Sequence, residues 1–298
     1  MPTLSVVICT RNRYRDVLRC MASLAAQTRV PEEIVIVDAS DDEYVAPTVA
    51  AAFPGAFPDC RVLRSPRGLT RQRNHGIRQT QGDYVLFLDD DVVLHREYVE
   101  RLLRVFHTDT AARYAGGMGQ ISGVSSPGPL FRLLQRCFYL GDVVGTGRFK
   151  RSGFPSLPHG RDEFLEVECL SGANMCFRRS VVSQFTFDET LHDYAYMEDD
   201  DFAYRASRER PFFYEPDARL EHRHSTAARL NRRQLKRMLV RNHRYLFNKN
   251  FPQSFSYRWA HGLSLLGLLA ECVMTADLKG LAGAVEGILS RQPPALTP

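Results

Sequence analysis

The stretch Tyr84-Val85-Leu86-Phe87-Leu88-Asp89-Asp90-Asp91 passes abruptly from five apolar residues to three aspartates. A short, unbroken apolar run reads as a strand buried on both faces, as in a parallel sheet covered by helices. Three like charges at its end repel one another, and a solvated turn before the next helix gives no reason for them. A divalent cation removes the conflict, because hard cations take carboxylate oxygens and bridge them to phosphate. On an extended chain Asp89 and Asp91 point to one side and Asp90 to the other.

Outward from this run two periods alternate. Short β-branched runs at residues 5–9, 33–37 and 61–63 are separated by helical spacing at Val17, Leu18, Met21, Leu24 and Ala25. The same spacing returns at Tyr98, Leu102, Val105 and Phe106. Strands alternating with amphipathic helices predict βαβ units, an α/β class and a mainly parallel sheet. In such sheets ligands bind outside the carboxyl ends of the strands. Thr10-Arg11-Asn12-Arg13, Asp38-Ala39-Ser40 and Asp89-Asp90-Asp91 all stand there and are expected to form one site. Residues 116–160 are rich in Gly and Pro and read as loops over that site, with a short helix over 130–140. A further strand-like run is expected to end in Ser171-Gly172-Ala173-Asn174. Helices are expected from Glu198, over 231–249, over 259–275 and over 278–289.

With 44% apolar and 24% charged residues in 298, the chain is neither disordered nor fibrous. Seven scattered cysteines, with no C-x-x-C pair, fit reduced thiols in the cytoplasm better than a disulfide framework or a zinc site. With a strand expected from residue 5, no signal peptide is expected. The net charge of +5 is uneven: from Arg223 onward there are 12 Lys/Arg against 3 Asp/Glu, and before it 27 against 31. Basicity belongs to the tail, where an acidic partner is to be sought.

Seven segments in order resemble the signatures of family 2 of the inverting glycosyltransferases, which have the GT-A fold. They are LSVVICTRNR (4–13), IVIVDAS (34–40), GLTRQRNHGI (68–77), YVLFLDDDVV (84–93), GANMCFR (172–178), EDDDFAYR (198–205) and PDARLEH (216–222). The resemblance implies a GT-A domain over residues 1–222, with a nucleotide-sugar-binding half (1–122) and an acceptor-binding half (123–222). A basic and amphipathic helical tail (223–298) follows. It also implies a donor set of Thr10, Arg11, Asp38, Arg73, Asp89 and Asp90, in which Asp38 accepts from base or ribose. Asp89 and Asp91 match the outer positions of a DXD motif, with Asp91 the main ligand of Mn²⁺ or Mg²⁺ and His222 reaching the metal or diphosphate. Gly172, Asn174 and Glu198 are implied in the sugar and acceptor pocket.

Glu198-Asp199-Asp200-Asp201 opens a helix, which spreads four side chains around its axis and denies them a common job. Asp201 is expected to pair with Arg205 four residues on, and Asp200 to be solvated. Glu198-Asp199 matches the family's ED motif, which implies that Asp199 is the general base. A helix N-terminus favours the ionised carboxylate such a base needs.

Between His222 and Glu271 there is no acidic residue. Arg229, Arg232, Arg233, Lys236, Arg237, Arg241, Arg244 and Lys249 lie on a helix beside an apolar one too short and too polar to span a bilayer. That pairing suits peripheral contact with the inner face of the cell membrane, or packing on the domain or on a second copy of the chain. The partners expected are a nucleoside diphosphate sugar and a glycan or lipid-linked acceptor. Nucleic acid is not among them, because the basic helix lacks interleaved aromatics for base stacking. A nucleotidyltransferase acting on a sugar phosphate is the alternative, but it calls for a Gly-rich phosphate loop after the first strand, and 10–13 contain no glycine. A processive synthase is disfavoured because Phe255 stands where a QxxRW motif needs glutamine before Arg258-Trp259.

Overall fold

The computed structural model describes residues 2–225 and 230–290; Arg229 and the last eight residues of the expected tail lie outside them. The first four strands, β1 (Leu4–Thr10), β2 (Glu33–Asp38), β3 (Asp59–Arg64) and β4 (Tyr84–Asp89), alternate with α1 (Tyr14–Ala25), α2 (Val45–Ala52) and α3 (Leu69–Gln79). They pair in the order β3-β2-β1-β4, all parallel. Strand alternation divides β1 between two cores. Leu4, Val6 and Ile8 pack with α1 and α2, while Val7 faces the opposite layer.

The second half of the sheet is mixed. It contains β5 (Val92–Leu94), α4 (Tyr98–Thr108), β6 (Gly116–Ser122), α5 (Pro129–Cys137), and the small hairpin β7 (Val144–Phe149) with β8 (Pro155–Pro158). Then come β9 (Leu165–Val167), β10 (Asn174–Arg178), α6 (Arg179–Gln184), α7 (Glu198–Ser207) and β11 (Phe212–His222). The sheet continues β4-β10-β6-β11-β5, with β10 antiparallel to both neighbours and β5 antiparallel to β11. Two expectations change here. Asn174 begins a strand instead of ending one, because residues 171–173 form the turn that enters β10. A short strand, β5, follows the aspartates at once, so the acidic run is a turn between two strands.

Three helices close the chain: α8 (Arg232–Asn250), α9 (Phe255–Met274) and α10 (Leu278–Leu289). Asn231 caps α8 through a reciprocal pair of bonds with Gln234. Val240, Leu246, Leu268 and Ala284 share one apolar core with Leu134, Leu140, Phe154 and Leu191 of the chain before His222. The helix α8 is glue, not a free basic strip. Arg233 binds Glu286, Lys236 lies 3.3 Å from Glu271, Arg244 donates to the last carbonyls of α10, and Lys249 reaches Asp188 and Asp201. Among the described residues no helix is long and apolar enough to cross a membrane.

Candidate active site

Sheet register assembles the site. Thr10 lies opposite Asp38, Asp38 opposite Arg64, and Cys9 opposite Asp89, so the carboxyl ends of four strands form one edge. Antiparallel pairing of β11 with β5 sets His222 against Val92, just past the aspartates. His222 Nε2 is therefore 2.9 Å from Asp91 Oδ1 and 3.8 Å from Asp89 Oδ2.

One ligand atom each from Asp89, Asp91 and His222 lies within 4.8 Å of the others. Two carboxylates and an imidazole on one point are a donor set that fits Mn²⁺ or Mg²⁺. Asp91 Oδ2 also accepts from the Ser225 amide at 2.8 Å. Burial works to raise the Asp91 carboxyl, but His222, that amide and Arg13 outweigh it and hold it at about 2. Burial keeps the Asp89 carboxyl above its ordinary value against the pull of Arg73 and His222.

Asp90 points away from this cluster, as the pleat requires. Its Oδ2 accepts from the Thr10 hydroxyl at 2.7 Å and its Oδ1 from Arg13 at 3.1 Å. Burial pushes it up to about 7, against Arg13 and Thr10. Thr10 and Asp90, expected on the donor, are thus almost wholly buried and bonded to each other. The β1–β4 pairing places hydroxyl against carboxylate. Asp38 accepts from the Ser40 amide at 2.8 Å and from Arg64 at 2.7 Å. Arg11 lies 3.3 Å from Asp41, which also takes Asn12 Nδ2 at 2.7 Å. Arg64 was not singled out in the sequence, and Arg13 only as part of the stretch 10–13. The rule that selected Asp38 selects Arg64 too, since it ends β3.

Arg73 connects the two acidic centres. It rises from α3 and rests its guanidinium over the Phe187 ring at 5.2 Å. Its Nη1 bonds Glu198, and its Nη2 donates to the Gly172 carbonyl at 2.9 Å and lies 3.6 Å from Asp89. Burial and the neighbouring Asp199 charge push the Glu198 carboxyl up to about 8, with Arg73 pulling the other way. Asp199 Oδ2 accepts from the Gly172 amide at 2.7 Å, and its Oδ1 accepts from the Asp200 amide at 3.0 Å. A Cβ on Gly172 would stand 2.9 Å from Asp199 Oδ2, so glycine is what lets the two segments meet.

Other placements differ from expectation. Asn174 is fully buried, its Nδ2 donating to the Gly119 carbonyl at 3.0 Å, and its Oδ1 has no hydrogen-bond partner among the described residues. Its strand runs between β4 and β6, which encloses it. Asp200 is half-buried instead of simply solvated, and burial with the Asp199 and Glu198 charges raises its carboxyl. Asp201 does pair with Arg205, at 2.8 Å, and also binds Lys249 and Asn250.

Comparison with known proteins agrees with this geometry. The family described as Glycosyl transferase family 2 matches residues 5–185. The pre-mycofactocin glycosyltransferase of Mycobacterium tuberculosis is 29% identical over 232 residues, covering 76% of this chain and 44% of that protein. The chain thus spans less than half the length of that relative. The glucosyl-dolichyl phosphate glucuronosyltransferase of Haloferax volcanii is 32% identical over 120 residues, 38% of this chain and 37% of that protein. Among solved structures, S. aureus TarS 1-349 in complex with UDP-GlcNAc superposes with a TM-score of 0.58 at 16% identity, covering 96% of this chain and 79% of that one. The Pyrobaculum calidifontis mannosyltransferase in complex with GDP-Man and Mn²⁺ gives 0.60 at 14% identity, covering 98% and 88%. With that match over most of its length, and with the GT-A fold, the chain belongs to glycosyl transferase family 2.

Proposed function

We propose that this chain is a divalent-cation-dependent, inverting glycosyltransferase. It moves a hexosyl or deoxyhexosyl group from a nucleoside diphosphate sugar to a hydroxyl of a glycan or lipid-linked acceptor. Cell-surface polysaccharide or glycolipid synthesis is the setting this reading proposes. The observation that carries it is Arg73, which holds the Asp89 side of a cation-competent cluster and the Glu198-Asp199 pair around one guanidinium. Asp89, Asp91 and His222 would hold the cation, which when bound would supply Lewis-acid stabilisation to a departing diphosphate.

The residues of the chain do the rest. Asp199, oriented through the Gly172 and Asp200 amides, takes the proton of the acceptor hydroxyl. The acceptor oxygen bonds to the anomeric carbon as the bond to the diphosphate oxygen breaks, and the diphosphate leaves with the electron pair. One displacement inverts the centre. Arg64 and Asp38 stand where a nucleoside is expected, at the edge formed by β2 and β3.

A peripheral membrane contact is proposed for the outer face of α9, where Phe255 and Trp259 are 84% and 61% exposed and Leu266 and Val273 follow on the same side. An apolar face of this kind lets an enzyme meet a lipid-linked acceptor without a spanning segment. The name of the dolichyl phosphate relative is consistent with such an acceptor.

The test is a panel of UDP- and GDP-sugars with Mn²⁺ or Mg²⁺, read by thermal shift. NMR of the sugar released by slow donor hydrolysis then reports its configuration. Stabilisation that needs the cation, followed by first appearance of the inverted anomer, is expected. Pyrophosphate as product, or a retained anomer, overturns the reading.

A further inference from the structure

Immediately before α7, Asp193, Ala195 and Met197 take left-handed backbone angles (φ 59°, 48° and 73°). None is glycine, so the conformation is held against its intrinsic preference by its surroundings. The consequence is a strict alternation. Ala195 and Met197 are buried, whereas Tyr194 and Tyr196 are each 37% exposed. Their rings form an offset stack, 6.3 Å between centroids and only 17° from parallel.

The segment is pinned from three directions. Its Asp193 carbonyl accepts from the Leu69 amide at 3.0 Å, and the Asp193 carboxylate lies 3.2 Å from Arg67. The fully buried Asn242 of α8 donates to the Tyr196 carbonyl at 2.8 Å. The tyrosines adjoin the first turn of α7: the Ala195 carbonyl, between the two rings in sequence, accepts from the Glu198 amide at 3.0 Å, and Tyr196 precedes Asp199 by three residues.

We propose that Tyr194 and Tyr196 form the platform on which a sugar ring of the acceptor lies while its hydroxyl meets Asp199. This rests on the glycosyltransferase reading above and names the acceptor's chemical class: a pyranose with a contiguous C–H face. An aromatic face is electronegative and an axial C–H is weakly positive, so the two attract and exclude water. A nucleobase as the occupant is an outcome of the test below, because Asp193 is held by Arg67 and Leu69, just past the end of β3. The tail also gains a purpose, since Asn242 fixes the platform from α8.

The experiment uses the full chain with Mn²⁺ and UDP or GDP, and the methyl glycosides of glucose, galactose, mannose and N-acetylglucosamine as probes. Saturation-transfer NMR reads contact proton by proton, and calorimetry reads the diphosphate in parallel. At least one glycoside is expected to receive saturation chiefly on the C–H protons of one ring face. Its affinity falls about tenfold or more when both rings are removed (Tyr194→Ala with Tyr196→Ala), and is kept when both are replaced by Phe. Diphosphate affinity stays within about twofold of the parent, and the Phe pair guards against a mere loss of fold. The platform is overturned if no glycoside binds while diphosphate binding is intact, or if the alanine pair binds glycoside as the parent does. It is also overturned if the alanine pair loses the diphosphate instead. Absence of cation-dependent diphosphate binding in the parent overturns the glycosyltransferase reading itself, and the platform with it.

Discussion

The amide of Gly172 donates to Asp199 Oδ2 at 2.7 Å, joining the turn that enters β10 to the first turn of α7. The bond fixes the carboxylate proposed as general base without using another side chain. A methyl group on residue 172 would press on Asp199 and, at 3.3 Å, on Arg73. Gly172→Ala is expected to lower turnover about 10²-fold, the scale of a small misplacement of a reacting group. Calorimetry with the nucleoside diphosphate and Mn²⁺ should show nearly unchanged affinity. Loss of both together would mean that Gly172 supports the whole fold and not the base.

Asp199→Asn keeps an acceptor for only one of the two amide bonds, because its Nδ2 cannot accept, and it cannot take a proton. Turnover should fall by about 10²–10⁴-fold with donor binding preserved. Steady-state kinetics of Asp199→Asn, Asp200→Asn and Glu198→Gln separate the three carboxylates. Near-normal turnover in Asp199→Asn beside a dead Asp200→Asn would move the base by one residue.

Asp90 and Asp91 are neighbours with opposite tasks. Asp91→Ala should abolish the cation-dependent part of diphosphate binding, because one of three ligands is lost. Asp90→Ala should instead cost about 2 kcal/mol of stability by removing its hydrogen bonds from Thr10 and Arg13. Denaturant titration and calorimetry on both variants test the division. Equal loss of cation-dependent binding in both would refute it.

The tail is expected to loosen in acid through Asp188. This carboxylate takes Lys249 at 2.6 Å, Tyr245 at 2.9 Å and the Thr190 hydroxyl and amide. Burial opposes ionisation, but these partners outweigh it and hold the carboxyl well below its usual value. A depressed folded value stabilises the protein above the unfolded value, near 4. The contribution is lost as pH falls from there through the folded value. Asp188→Asn should therefore cost about 2 kcal/mol at pH 7, and the difference from the parent should shrink below about pH 4. Chemical denaturation at pH 7, 5 and 3 reads this; a difference that does not change with pH would deny the linkage.

Sedimentation with anionic liposomes tests the face of α9. Surface substitution is the right tool, since Leu268 and Ala284 share a core with Leu140 and Leu191, and truncation would open it. Phe255→Ser with Trp259→Ser should release the protein from vesicles, while 0.5 M salt should weaken binding of the parent only in part, about 3–10-fold, because apolar burial is not screened. Binding that ignores the double substitution, or no binding by the parent, assigns the face to another partner.

The sequence by itself determined the parallel half of the sheet, since each buried strand announces itself as an unbroken apolar run ending in polar residues. It also separated Asp90 from Asp89 and Asp91, because the pleat alone alternates their directions. The pairing of Asp201 with Arg205 was legible for the same reason, a local period. Only the tertiary structure decided the rest. Asn174 falls inside the sheet because β10 is inserted between β4 and β6, a non-local pairing that no period records. Arg73 and Glu198 lie 125 positions apart, and their contact depends on how α3 and α7 pack on one face. The cations of α8 read as a surface charge in one dimension, yet several are spent on Asp188, Asp201, Glu271 and Glu286. A charge pattern states what a helix carries; the acids brought to it by folding decide how much of that charge is left for a partner.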